Sequence, residues 1–267
     1  MSAQFPPASK SAPEWVGPTN PDLTRQCRTS GRKRGTNGSV TTRVGKPQKY
    51  RLNAPYDFAP HSPWFEDWFQ DIYTKSRGRT LMKEDSAYVI HQVCRHCLHL
   101  DGDFAECGVY KGGSAFLIAW SLAQNGATER RWFHVFDTFQ GMPPSANADP
   151  SGIKQGRFGD TSLSAVQEYL KEFPFVRFHH GYIPTTLDPV KDRRFAFVHI
   201  DVDLYQTTKD CLDSFCDRIV PGRVMIFDDC GWAVFTDSEK RAVDEFLANK
   251  REVPVSLRSG QCIVIKL

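Results

Sequence analysis

The sequence predicts an α/β fold: a doubly wound, mainly parallel sheet finished by a C-terminal antiparallel hairpin. Three observations carry this expectation. Short apolar runs alternate with stretches of helical spacing from residue 103 to about 249. Several of those runs end in glycine or aspartate, the residue types found where an open α/β sheet meets its ligand. The last residues read as two short extended runs around Ser259-Gly260.

Residues 1–55 are rich in Pro, Gly, Ser, Thr, Arg and Lys and poor in large apolar side chains, which predicts a disordered basic tail. Residues 1–60 hold ten Lys/Arg against three Asp/Glu, a balance of +7, while the remaining 207 hold 24 against 28, or −4. The whole-chain charge of +3 therefore hides a basic tail before a slightly acidic body. Residues 56–100 are expected to form a helical lid or cap, with one amphipathic helix over 64–73 and a second over 84–99. In the second, Val89, Ile90, Val93, Cys94, Cys97 and Leu98 form one apolar stripe. Cys94-Arg-His-Cys97, between His91 and His99, also has zinc-like or redox-like spacing. The stripe uses both cysteines as small hydrophobes, and no second CxxC follows, which favours a core role.

Residues 101–267 form the expected main domain. Strands are predicted over 103–107, 132–136, 175–179, 195–200 and 224–227. Helices are predicted from the glycine turn to 124, over 162–172 and over 205–219. A last helix should open at the capping box Thr236-Asp-Ser-Glu239 and run to about 249. Runs 253–257 and 261–267 complete the hairpin. No apolar run is long enough to span a membrane, and the first residues lack an apolar signal region. These features predict a cytoplasmic protein whose eight cysteines are not organised as disulfides.

Chemistry is expected at the carboxyl ends of the strands. The first strand ends Glu106-Cys-Gly108-Val-Tyr-Lys-Gly112-Gly113-Ser114, a glycine turn feeding a helix N-terminus. Its GxxxGG spacing is neither the dinucleotide GxGxxG nor the phosphate-binding P-loop pattern. The second strand ends in Asp137, placed to accept ribose hydroxyls, so turn and acid together favour a cofactor with an adenosine end. The fourth strand ends His199-Ile-Asp201-Val-Asp203 and the fifth Ile226-Phe-Asp228-Asp229. If these two strands are parallel neighbours, Asp201, Asp228 and Asp229 meet, and gathered carboxylates call for a hard cation such as Mg²⁺. Asp203 is the candidate for a structural role, capping the next turn or helix.

The runs FAECGVYKGGS (104–114), VFDTFQGMP (135–143), HIDVDLYQTT (199–208), VPGRVMIFDDCG (220–231) and KRAVDEF (240–246) together resemble the macrocin O-methyltransferase (TylF-type) family, over about residues 78–267. The resemblance implies a Rossmann-like fold of the class I methyltransferase type. It also implies Mg²⁺-dependent transfer of a methyl group from S-adenosylmethionine to a hydroxyl of a sugar or phenolic natural product. By the same resemblance, Glu106, Gly108, Gly112, Gly113 and Ser114 line the methionine end of the cofactor and Asp137 holds the ribose. Gly181 and Tyr182 lie near the adenine, and Thr80 belongs to a segment closing over the cofactor. Asp201, Asp228 and Asp229 match the metal-binding acids, with Asp201 also the general base. The family often has an aromatic residue after the paired acids, where this chain has Cys230, so the acceptor wall should differ.

Two other readings compete. Asp201-Val-Asp203 could serve as the DxD of a metal-dependent glycosyltransferase, and the basic stretch 25–51 could bind nucleic acid without catalysis. Neither explains the glycine turn, Asp137 and the paired acids together. The implied partners are a small-molecule hydroxyl acceptor and a second copy of the chain, with no membrane.

Overall fold

The computed structural model describes residues 62–126, 128, 131–144, 149 and 154–267, so the tail predicted over 1–55 lies outside the described residues. Parallel strands β1 (Asp103–Cys107), β2 (Phe133–Asp137), β3 (Val176–His180), β4 (Phe195–Ile200) and β5 (Ile219–Phe227) are followed by β6 (Val255–Ser256) and β7 (Cys262–Ile265). They form one sheet in the order β3-β2-β1-β4-β5-β7-β6, with β7 antiparallel to both of its neighbours. The predicted doubly wound sheet and terminal hairpin are both present.

Alternation along the strands builds two cores. Phe104, Phe133, Val135, Phe197, Val224 and Ile226 face one side, against α1 (Asp67–Ser76), α2 (Glu84–Cys97), α3 (Gly113–Gln124) and α4 (Leu163–Tyr169). Ala105, Phe136, Val198, Ile200, Met225 and Phe227 face the other, against α5 (Tyr205–Phe215) and α6 (Glu239–Leu247). Strands buried on both faces must be apolar almost throughout, which is why they read as continuous runs. Cys94 and Cys97 are fully buried in the first core, beside Ile90 and Phe104. Among the described residues no helix is long and apolar enough to cross a membrane.

Several boundaries move. The helix expected over 162–172 stops at Tyr169, and the one expected over 205–219 gives way to a 3₁₀ turn at Cys216–Arg218. Strand β5 starts five residues early, at Ile219 opposite Phe195, and passes through a register shift with β4 in which Gly222 takes φ +82°. The capping box does not form. Ser238 is the N-cap of α6 without a side-chain bond, and the Glu239 carboxylate instead accepts the backbone N–H of Asp229 at 2.8 Å.

Register places the site. Cys107 pairs with Ile200, and Ile200 with Phe227, so the residues just beyond these strands lie side by side. The ladder runs one residue further at each end. Gly108 N–H donates to Phe136, Gly181 to Asp137, Asp201 to Cys107 and Asp228 to Ile200, at 2.8–3.0 Å. The glycine turn, Asp137, Gly181 and both acid runs thus share one sheet edge.

Candidate active site

Above that edge lies a cavity of about 940 Å³. Its lining includes Thr80, Gly108, Ser114, Asp137, Gly181, Tyr182, Asp201, Asp228 and Asp229, so nine of the expected site residues open onto one space. Ligand sites run to roughly 300–1,000 Å³, and this cavity is at the upper end, large enough for two small molecules side by side. Seven aspartates and three cationic side chains line it, which favours cationic or hydroxyl-rich occupants.

Glu106, Gly112 and Gly113 stand behind the cavity wall instead. The glycines are packing devices. A Cβ at Gly113 would come within 2.7 Å of Arg79 and Thr80, and one at Gly112 (φ +86°) within 2.9 Å of Val166. Gly108 is tighter still, since a Cβ there would sit 1.8 Å from the Asp201 carbonyl oxygen. The glycine signal therefore reports backbone approach to the 79–80 segment, α4 and β4 as much as approach to a ligand. That segment is itself anchored: the Tyr73 hydroxyl donates to the Met82 carbonyl at 2.7 Å, and Gly113 N–H to that of Arg79 at 3.0 Å.

Asp137 lines the cavity but also holds the turn together. Its Oδ2 accepts from Val109 N–H (2.7 Å) and Tyr110 N–H (2.9 Å), and its Oδ1 from Phe139 N–H (2.6 Å). A carboxylate has about four lone-pair positions, so roughly one remains for a ligand.

The acids converge. Burial, reinforced by Asp228 and Asp203, pushes the Asp201 carboxyl well above the usual carboxylate range. Burial and the charges of Asp201 and Glu239 push Asp229 up to about 12. Asp203 joins the cluster rather than capping α5: it sits at φ +59°, lines the cavity and lies close enough to Asp229 to raise its pKa. The cap of α5 comes from Asp149, whose Oδ1 accepts from Tyr205 N–H (2.7 Å) and Gln206 N–H (3.4 Å). Proximity in sequence misassigned that role; the helix N-terminus is served from across the cavity mouth.

Beneath the cluster His199 is fully buried between two carboxylates, with Nδ1 2.9 Å from Glu106 Oε1 and Nε2 3.5 Å from Asp228 Oδ1. Burial alone would keep this ring neutral, but the flanking carboxylates hold its pKa well above the usual histidine range. Gln261 Nε2 donates to Asp228 Oδ1 at 2.7 Å. His199, Glu239 and Gln261 thus fix the acid run from below, behind and the hairpin. Among the described residues, no group of three or more His, Cys, Asp or Glu side chains is arranged to hold a metal ion as it stands. The donors nevertheless fit one in type: hard oxygens, crowded, and short of positive charge.

Strand order, the hairpin and a cavity at the carboxyl ends of β1, β2 and β4 define a class I methyltransferase fold. Solved structures of that class superpose. The O-methyltransferase NovP does so with a TM-score of 0.63 at 22% identity, over 74% of this chain and 88% of that one. The calicheamicin methyltransferase CalS11 does so at 0.59 and 19% identity, over 81% and 99%. Residues 66–259 match the macrocin O-methyltransferase (TylF) family, and the chain belongs to it. A 4′-O-methyltransferase of a rhamnosyl-tetracenomycin from Streptomyces olivaceus is 32% identical over 48% of this chain and 52% of its own length. Demethyldecarbamoylnovobiocin O-methyltransferase from Streptomyces niveus is 29% identical over 56% and 60%. The matches thus span between about half and three fifths of these two relatives.

Proposed function

We propose that this chain is an S-adenosylmethionine-dependent, Mg²⁺-assisted O-methyltransferase acting on a hydroxyl of a glycosylated or phenolic natural product. The observation that carries the reading is the convergence of Asp201, Asp228 and Asp229 on the cavity that also holds Gly108, Ser114 and Asp137. Family membership and the sugar-modifying activity in the name of one relative support it. They weigh against the glycosyltransferase and nucleic-acid readings, and the stretch 25–51 on which the latter rests lies outside the described residues.

S-adenosylmethionine supplies a methyl group already activated on a sulfonium, so the protein's work is alignment and proton removal. Thr80, Gly108 and Ser114 would flank the methionine end, with Glu106, Gly112 and Gly113 holding the turn from behind. The free lone pair of Asp137 would take a ribose hydroxyl, and Gly181 and Tyr182 would border the adenine. The acid-rich wall suits the sulfonium cation. Asp201, which lines the cavity at the end of β4, would take the acceptor proton as general base. Asp228 and Asp229, with Asp201, would hold the dication after side-chain rotation; that ion supplies positive charge that lowers the acceptor's pKa. Residues 79–83 would close over the cofactor, the role expected of the 56–100 segment.

Calorimetry with S-adenosylmethionine, with and without Mg²⁺, tests the reading. Binding of the cofactor is expected; its absence contradicts methyl transfer. Activity that persists in EDTA contradicts the metal part alone.

A further inference from the structure

We propose that Trp232 is a stacking platform for the sugar ring of a glycoside acceptor, and that Gly260 is the positioning residue that sets it. The inference rests on the methyl-transfer reading and names its acceptor class. Trp232 follows the acid pair by three residues, and its N–H donates to the Asp229 carbonyl at 3.1 Å, so the indole stands one tight turn from the carboxylates. It lines the cavity and is 43% exposed.

The indole is held from behind. Gly260 lies at φ +94°, and a Cβ there would come within 2.3 Å of the indole Nε1 and Cε2. Gly231 N–H donates to the Gly260 carbonyl at 2.6 Å, tying the hairpin turn to the loop that carries the indole. The aromatic surface expected directly after the acids is thus supplied two residues later, while Cys230 turns inward to Cys262.

A fixed aromatic face beside hydrogen-bond acceptors suits a pyranose, whose C–H face stacks on the ring while its hydroxyls donate to carboxylates. A phenol would use the stacking but would leave unmatched the lining carboxylates that the dication does not take, Asp203 and Asp210. Leu81 and Val234, 70% and 74% exposed at the rim, offer apolar contact to an aglycone extending outward.

The test uses the full chain with S-adenosylhomocysteine bound. Binding of nitrophenyl hexopyranosides of gluco, galacto, manno and 6-deoxy configuration, and of catechol, is followed by saturation-transfer NMR. Glycosides should bind, Trp232→Ala should weaken them about tenfold, and Trp232→Phe should restore most of the affinity. Gly260→Ala should match Trp232→Ala and add nothing to it in the double variant, while S-adenosylhomocysteine affinity stays unchanged throughout. Should Gly260→Ala fail to fold, the two Trp232 variants carry the test. Unchanged glycoside affinity in Trp232→Ala, or catechol binding with no glycoside binding, overturns the proposal. A wild-type chain that does not bind S-adenosylhomocysteine overturns the methyl-transfer reading beneath it.

Discussion

The two edges of the sheet treat buried carboxylates in opposite ways. At the amino end of β1, Asp103 is 2% exposed and fully served: Trp132 N–H donates at 2.9 Å, Arg193 Nε at 2.6 Å, and His134 Nε2 lies at 3.3 Å. Burial alone would raise its pKa, but these partners outweigh burial and hold it at about 2. At the carboxyl end, Asp201, Asp203, Asp228, Asp229 and Glu239 crowd together with His199 as the buried cation beneath them. A charge buried for architecture is matched by its neighbours, whereas acids that outnumber their one buried cation drive up the pKa of Asp201, Asp229 and Glu239, as expected of a ligand site. The difference marks which edge is scaffold and which is site.

The largest expected effect belongs to the carboxyl edge. Asp201→Asn should lower the rate of methyl transfer by about 10²–10⁴-fold, the usual worth of a positioned base, with little loss of thermal stability. A steady-state assay with labelled S-adenosylmethionine checks this, and near-normal turnover would erase the contrast between the edges. Asp103→Asn should do the reverse. Leaving Arg193 and His134 without their carboxylate should cost about 2–3 kcal/mol, discounted because Arg193 is half exposed, and lower Tm by roughly 5–10 °C with turnover below Tm preserved.

The pH response should also split. The folded pKa of Asp103, about 2, lies below its unfolded value, so its stabilisation is complete above pH ~4 and is lost as pH falls from ~4 towards 2. At the carboxyl edge the folded values lie above the unfolded ones. In chelator, stability should therefore fall as pH rises from ~5 to ~8, and denaturant titrations across that range would show a rise if the contrast is wrong. The smallest effect is Asp229→Asn, which replaces a carboxyl already driven to its neutral form by a neutral amide and should change the stability of the chelated protein by less than about 1 kcal/mol in a urea melt.

Much of this molecule could be read from its residues. The strands are legible because a strand covered on both faces is apolar throughout, and the stripe of α2 because helical spacing puts Ile90, Cys94 and Cys97 on one face. Asp201 and Asp228 could be paired because adjacent parallel strands in register end together. What failed involved contacts between distant segments. The acid of Thr236-Asp-Ser-Glu239 has local capping chemistry, but an uncapped backbone N–H at Asp229, ten residues earlier, claims it. Asp203 looked like a cap, yet Asp149, 56 residues from Tyr205, does that work. Gln261 bonds Asp228 across 33 residues and had no pattern to announce it. Glu106 sits on a strand end as expected, but strand alternation turns its carboxylate to His199 rather than to the cavity.

The most direct check is a calorimetric titration of Mg²⁺ into the wild-type chain and an Asp228→Asn/Asp229→Asn variant, each saturated with S-adenosylmethionine. One Mg²⁺ site in the wild type that disappears in the variant, with cofactor affinity kept, is the predicted result. Equal Mg²⁺ binding by both proteins, or none by the wild type, would contradict a shared dication among the crowded aspartates.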